Sequence, residues 1–77
     1  MDINFRSHSP GELLRIWRAA QQPSISQNEL ADRLGVSGGR IGQLETGGPS
    51  PGLELATRIE ELTGIAATSW VRQEHVA

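Results

Sequence analysis

A sharp corner between two predicted helices, centred on Gly35, most constrains what this chain can fold into. Ser26 and Glu29 have the spacing of a capping box, which predicts that a helix starts there. Gly35 suits the left-handed conformation that ends a helix. Ser37 then predicts the N-cap of a further helix that runs to about Thr46.

The small and apolar residues around this corner predict how the two helices pack. Ala31 is small, which lets the second helix of the pair cross close above it. Val36, Ile41 and Leu44 are spaced to hold that second helix against a core at a steep angle. The pattern predicts a helix-turn-helix over residues 25–44, with one outward helix face free to enter a major groove.

The rest of the chain predicts further helices and no strands. The capping box of Ser9–Glu12 starts a helix that runs to about Gln21, and Ser50-Pro51 starts another that ends at Gly64. Apolar residues recur at helical spacing along both. The residues predicted to be buried there are Leu13, Leu14, Trp17, Leu55, Ala56, Ile59 and Leu62, and Ile16 is a further candidate for the same face.

A last short helix holds Trp70 and Val71, which brings the predicted number of helices to five. The fold class is therefore all-α, with one compact domain over residues 9–72. Residues 1–8 are predicted to form an N-terminal arm, and residues 73–77 a C-terminal tail that frays.

Composition bounds the functions that the chain can have. Its 77 residues hold one domain, and the absence of cysteine excludes disulfides and thiolate metal sites. His8 and His75 lie near opposite ends without ligand spacing, so we expect no metal and no cofactor. There is no apolar run of membrane-spanning length and no signal-peptide pattern. We therefore expect a cytoplasmic protein with no membrane partner.

Two runs, Gln27–Ser37 and Ile41–Gly47, resemble the Cro/C1-type (XRE-like) helix-turn-helix family of phage and bacterial repressors. The likeness covers about Leu14 to Val71. It implies a five-helix, lambda-repressor-like DNA-binding domain whose third helix enters the major groove of an operator. It also implies a transcriptional repressor that binds double-stranded DNA as a homodimer on a palindromic site.

By position, the resemblance implies DNA contacts from three segments. Gln27 and Asn28 begin the second helix, where backbone N–H groups and side-chain amides meet phosphate. Arg40 and Gln43 are the expected base readers, because arginine pairs with guanine and glutamine with adenine. The remaining expected contacts are Ser37, Gly38, Gly39, Gly47 and Gly48.

Three of these glycines depart from the family pattern. Gly38 and Gly39 stand where relatives often carry long polar readers, and Gly48 where they often carry a cation. A glycine inside a helix costs about 1 kcal/mol relative to alanine. Two explanations remain open for Gly38 and Gly39: the backbone approaches DNA closely, or the first turn of the helix is irregular until it binds.

The resemblance also implies a structural ion pair and a dimer surface. Glu45 is expected to pair with an arginine of the first helix, with Arg18 favoured over Arg15. In so small a domain, apolar groups near the C-terminus often face a second subunit. The candidates for the dimer interface are Ile65, Trp70 and Val71. For Trp70 three locations stay open: the core, the dimer interface, or both.

The net charge of −2, from seven arginines and nine acidic residues, raises an alternative. DNA-binding domains are often basic, so any affinity for DNA must come from where the charges lie. The alternative is a protein-interaction module, an antitoxin or an anti-repressor on the same fold. Alternatives also stay open for single residues: Arg40 pairs with an acidic side chain, or Gln27 and Gln43 lie on the solvated surface without contacting DNA. An enzyme with a small-molecule substrate is not expected, because the acidic residues and histidines form no catalytic spacing.

Overall fold

The structure, a computed structural model, describes residues 8–71, and within this range it contains five helices and no strand. The helices are α1 (Pro10–Ala19), α2 (Gln27–Leu34), α3 (Gly38–Glu45), α4 (Leu53–Thr63) and α5 (Thr68–Val71). The predicted all-α, five-helix fold class is thereby confirmed. Apart from residue 8, the predicted N-terminal arm lies outside the described residues, as does the predicted C-terminal tail.

Helix α1 begins with the predicted capping box. The amide of Glu12 donates to Ser9 Oγ over 3.2 Å, and the amide of Ser9 donates to Glu12 Oε1 over 3.2 Å. Two of the orphan donors at the helix start are thereby satisfied. The helix ends at Ala19, two residues before the predicted end.

The second predicted capping box is only half formed. The amide of Glu29 donates to Ser26 Oγ over 3.0 Å, as expected of an N-cap. The carboxylate of Glu29, however, accepts from Arg33 one turn further along α2 instead of returning to Ser26. The prediction of a complete box was wrong because an i,i+4 ion pair uses the same carboxylate.

The predicted start of the fourth helix at Ser50-Pro51 was also wrong. Helix α4 begins at Leu53, and its N-cap Gly52 has an extended backbone and no side-chain acceptor. Pro51 is buried, so it packs against the domain before the chain turns into the helix. Ser50 and Pro51 predict a helix start from local sequence alone. The packing of Pro51 against the rest of the domain is a tertiary contact that this local pattern does not contain.

The corner between α2 and α3 has the geometry that the sequence predicts. Gly35 ends α2 with φ of +75° in the left-handed region, and the amide of Val36 donates to the Ala31 carbonyl over 3.0 Å. Ala31 is 2% exposed, and Ile41 and Leu44 are buried. Residues 25–44 therefore form a helix-turn-helix in which α3 lies directly against α2.

The core lies where α1, α2, α3 and α4 meet. Trp70 of α5 is 3% exposed and closes one end of it. Several residues predicted to be buried are instead half-buried at the edge of the core, where they pack against it. The largest fully buried side chains are Leu14, Leu30, Leu34, Ile41, Leu44 and Ile59, and those at the edge are Trp17, Leu55 and Leu62. Leu13 is half-buried, and Ile16 is 45% exposed and so does not belong to the buried face of α1.

A buried glycine in α1 brings that helix against the end of α3. A Cβ at Gly11 would meet the carbonyl oxygen of Leu44 and would lie 3.2 Å from the Cα of Glu45. No side chain fits between the two backbones. Gly11 therefore fixes how closely α1 approaches the last turn of α3.

Candidate nucleic-acid interface

The outer face of α3 is defined by the residues that the same helix buries. Ile41, Leu44 and Glu45 turn inward. Gly39, Gln43 and Thr46 lie on the opposite side at helical spacing, and all three are exposed. We call these three residues the outer face of α3; only Gln43 and Thr46 carry side chains there.

Thr46 was not among the predicted contacts. Its Oγ1 donates to the carbonyl of Gly42 over 2.9 Å, which fixes the side chain at the C-terminal end of α3. Helical phase could have found it, because Gly39, Gln43 and Thr46 are four and three residues apart.

The two glycines at the start of α3 have different surroundings. A Cβ at Gly38 would strike Asn28 Oδ1, so this glycine lets α2 and α3 approach. The nearest atom to a Cβ at Gly39 would be Ser37 Oγ at 4.0 Å. Gly39 alone therefore offers open backbone on the outer face.

The first turn of α3 is regular helix. It starts at Gly38, and the amide of Arg40 donates to Ser37 Oγ over 3.1 Å. The structure therefore contains no irregular first turn of α3. Close approach of the Gly39 backbone to DNA stays a prediction.

A bidentate ion pair holds α3 against α1. Arg18 Nε lies 2.9 Å from Glu45 Oε2, and its Nη2 lies 3.0 Å from Glu45 Oε1. Arg18 Nη1 also donates to the carbonyl of Ile25 over 3.1 Å. One guanidinium thus joins α1, the loop before α2 and the last residue of α3.

Electrostatics keep this pair ionised. Burial by itself would raise the pKa of Glu45, whose side chain is 2% exposed. Hydrogen bonds from Arg18 and Gln27, and the charges of Arg18 and Arg15, outweigh burial and lower that pKa. The hydrogen bond with Glu45 raises the pKa of Arg18. Arg18 is therefore the pairing partner, and Arg15 acts on Glu45 only through its charge.

Gln27 and Asn28 flank the outer face from the N-terminal end of α2. Gln27 Nε2 donates to Glu45 Oε1 over 3.0 Å, so its amide is oriented by the same carboxylate. A Cβ at Gly42 would lie 3.6 Å from Gln27 Oε1. Asn28 is exposed beside Gly38. The structure therefore brings these two predicted contacts next to α3.

Arg40 lies on the other side of the outer face, against the loop between α3 and α4. Its Nη1 lies 3.5 Å from the carbonyl oxygen of Pro49, and its Nη2 lies 3.3 Å from that of Ser50. Within the described range its guanidinium pairs with no acidic side chain. Neither of the expectations for Arg40 included these carbonyls.

The loop after α3 turns on two glycines. Gly47 has φ of +90°, and the amide of Gly48 donates to the carbonyl of Gln43 over 2.7 Å. A Cβ at Gly48 would lie 2.9 Å from that same carbonyl oxygen. The cation that relatives often carry at this position would not fit the turn as it stands.

Arg58 of α4 supports the corner and was missed by the sequence analysis. Its Nη1 donates to the carbonyl of Leu34 over 3.1 Å, and its Nη2 pairs with Glu54 over 2.8 Å. The Glu54–Arg58 spacing is visible in the sequence, but the contact with Leu34 depends on the tertiary arrangement of α4 and α2.

Two of the candidates for a dimer interface, Trp70 and Ile65, have different surroundings. Trp70 fills the core of its own chain and has almost no surface left for a second subunit. Ile65 is half-buried and lines an apolar groove of about 530 Å³ with Leu13, Ile16 and Trp17 of α1. Val71 is the last residue of α5.

An unpredicted apolar residue lies near Trp70. Leu53, the first residue of α4, is 81% exposed. It borders a cavity of about 140 Å³ that Trp70 also lines. The indole Nε1 of Trp70 is buried and has no hydrogen-bond acceptor among the residues that the structure describes.

Residues 8–71 contain neither a candidate metal centre nor a candidate membrane-spanning helix. No group of three or more histidine, aspartate or glutamate side chains is arranged to hold a metal ion there. No helix in the same range is long and apolar enough to span a bilayer.

Comparison with known proteins identifies the class of protein to which this helix-turn-helix belongs. A family model described as helix-turn-helix matches residues 14–70. The chain belongs to this family, the Cro/C1-type (XRE-like) helix-turn-helix proteins, as the resemblance predicted. The family is one of DNA-binding regulators. No curated protein and no solved structure matches the chain.

Proposed function

We propose that this protein is a sequence-specific transcriptional repressor that inserts α3 into the major groove of an operator. The observation that carries the proposal is the outer face of α3. This face is exposed, and only Gln43 and Thr46 carry side chains on it. The opposite face of the helix is fixed by buried Leu44 and by the Arg18–Glu45 pair. A rigid helix with a free face is what groove reading requires.

Gln43 is the proposed base reader. It is the long polar side chain on the outer face, and a glutamine amide matches the N6 and N7 edge of adenine. Gly39 adds no side chain beside it, which lets the α3 backbone come close to the base edges. Thr46 presents a methyl group and a hydroxyl at the far end of the same face.

Phosphate contacts are proposed at both sides of the groove. Gln27 and Asn28 start α2, and Ser37 caps α3. Helix N-termini attract phosphate through their free N–H groups and the helix dipole. On the other side, the loop after α3 offers the backbone N–H of Gly47, whereas the amide of Gly48 donates to the carbonyl of Gln43.

The charge distribution is compatible with this face despite the net charge of −2. Residues 37–50 contain one acidic side chain, Glu45, and it is paired with Arg18. Two further carboxylates, Glu29 and Glu54, pair with arginines on their own helices. The α3 segment therefore carries no uncompensated carboxylate toward a phosphate backbone.

We further propose that the protein binds DNA as a homodimer. Two half-sites double the number of phosphate contacts, which offsets the small number of cations per chain. Leu53 and the cavity beside it are the better candidate surface. In a two-fold pair the exposed leucine of each copy can enter the cavity of the other, so the same contact is made twice. Ile65 and its groove are the second candidate surface.

Selection of bound sequences from random duplex DNA tests the proposal. The expected result is one enriched motif with two inverted half-sites spaced by about one helical turn. A single half-site would contradict the dimer but not the reading helix. If the enriched pool equals the input pool at moderate salt, the repressor proposal fails and the protein-interaction alternative takes its place.

A further inference from the structure

Arg40 is the cation of α3, and its contacts are directed away from the outer face. Its guanidinium reaches the carbonyls of Pro49 and Ser50 across the loop that follows α3. The residue is half-buried, and the described residues offer its guanidinium no acidic partner. Its side chain lies along the protein and not along the direction in which Gln43 projects.

The loop over residues 47–50 is held to α3 at two points. Near its start, the amide of Gly48 donates to the Gln43 carbonyl over 2.7 Å. Near its end, Arg40 donates to two successive carbonyls. Gln43 and Arg40 are three residues apart, so the two attachment points lie about one turn apart along α3.

The main chain at the end of this loop has few N–H groups. Pro49 and Pro51 have no backbone N–H, so the chain between Gly48 and Gly52 offers only the amide of Ser50 as a main-chain donor. Arginine presents several N–H groups in a rigid planar fork, which suits two neighbouring carbonyls better than the single ammonium of lysine.

We propose that Arg40 is a positioning residue that holds the loop over residues 47–50 against α3, and that it acts on DNA affinity through this loop without reading a base. The inference rests on the proposed function, because the loop carries the proposed backbone contacts to phosphate. It replaces the expectation that Arg40 pairs with guanine.

Arg40→Ala, Arg40→Lys and the control Arg33→Ala test the inference. Arg33 is an exposed arginine of α2 paired with Glu29, so its removal matches the loss of charge. Two measurements are needed. One is the affinity for the selected operator and for every single-base variant of it, and the other is the hydrogen exchange of the Gly48 amide in the free protein.

The expected result for Arg40→Ala is a loss of affinity of roughly five- to tenfold that is equal for all operator variants. The Gly48 amide is expected to exchange at least several times faster than in the wild-type protein. Arg40→Lys is expected to retain the charge but to recover only part of the affinity and of the amide protection. Arg33→Ala is expected to leave the Gly48 amide unchanged.

Three outcomes would overturn the inference. Relaxed preference at a single base pair would make Arg40 a base reader. An equal loss of affinity with an unchanged Gly48 amide and full recovery in Arg40→Lys would make it a simple phosphate contact. If Arg40→Ala binds the operator as tightly as the wild-type protein, Arg40 has no role in DNA affinity. Failure of the proposed function is distinguishable, since wild-type protein would then select no operator while the Gly48 exchange still reports on the loop.

Discussion

Arg18 and Glu45, 27 residues apart, form a bidentate ion pair with N···O distances of 2.9 and 3.0 Å. The carboxylate is almost fully buried, while the guanidinium retains 18% of its exposure. Because Glu45 is the last residue of α3 and Arg18 belongs to α1, the pair fixes α3 to the body of the domain. Gln27 joins the same carboxylate, so α2 is included.

Replacing Glu45 by glutamine is expected to destabilise the domain. Arg18 would keep its charge without a carboxylate, and losing one partner of a fully buried pair costs about 3–5 kcal/mol. Because Arg18 is partly exposed, we expect the low end of that range. Urea unfolding measures this. The control Glu29→Gln breaks an exposed pair with Arg33 and is expected to cost only about 0.3–0.5 kcal/mol. Equal effects of the two substitutions would show that the buried pair has no special weight.

The stability of the protein is expected to fall in acid. The pKa of Glu45 in the folded protein lies below its ordinary value of 4.5. Its contribution is therefore complete above pH 4.5 and is lost as the pH drops through the folded pKa. Unfolding free energies measured between pH 7 and pH 3 should fall more steeply in the wild-type protein than in Glu45→Gln. Parallel curves would contradict the assignment of this dependence to Glu45.

The pKa of Glu12 is also lowered, so the variant Glu12→Gln serves as a control for the pH dependence assigned to Glu45. Two hydrogen bonds lower the pKa of Glu12, as the pKa of Glu45 is lowered. The larger effect comes from the backbone amide of Ser9 and the smaller from the side chain of His8. Glu12 lies at the surface start of α1, where solvent screens such interactions. Glu12→Gln is therefore expected to leave most of the acid dependence in place.

Gly39→Ala is expected to raise the stability of the free protein and to lower its affinity for the operator. Its Cβ would enter open space, and alanine favours a helix over glycine by about 0.5–1 kcal/mol, so the free protein should become more stable. The same methyl group would stand between the α3 backbone and the bases, which we expect to weaken operator binding at least about fivefold, or about 1 kcal/mol.

Gly38→Ala is the matched control for Gly39→Ala. Its Cβ would displace the side chain of Asn28, so the gain in stability is expected to be smaller. Calorimetry and operator titration measure both effects. Unchanged affinity in Gly39→Ala would contradict the close approach of bare backbone to DNA.

Gly11→Ala is expected to destabilise the fold although it improves the helical preference of α1. The added methyl group would meet the Leu44 carbonyl, and separating the two backbones costs about 1–3 kcal/mol by analogy with overpacked cores. The melting temperature should fall. A rise equal to that of Gly39→Ala would show that α1 shifts away from α3 without cost.

The sequence predicted those features that depend on local chemistry. The cap at Ser9, the left-handed turn at Gly35 and the buried apolar face of α3 follow from side chains within a few residues of each other. The resemblance added the pairing of Arg18 with Glu45, which no local pattern contains.

What escaped prediction depends on the tertiary arrangement. The burial of Pro51 moved the start of α4, and the carbonyls of Pro49 and Ser50 engaged Arg40. The close approach of Gly11 to the last turn of α3 has no local signal in the sequence. Each of these contacts joins residues whose proximity is set by the packing of whole helices.

The central claim is that Gln43 on the outer face of α3 reads a base, and one measurement tests it most directly. The affinities of wild-type protein and of Gln43→Ala are measured for the selected operator and for all its single-base variants. We predict that Gln43→Ala loses discrimination of about 1–3 kcal/mol at one base pair of each half-site, and keeps it elsewhere. Unchanged discrimination at every position would contradict the claim.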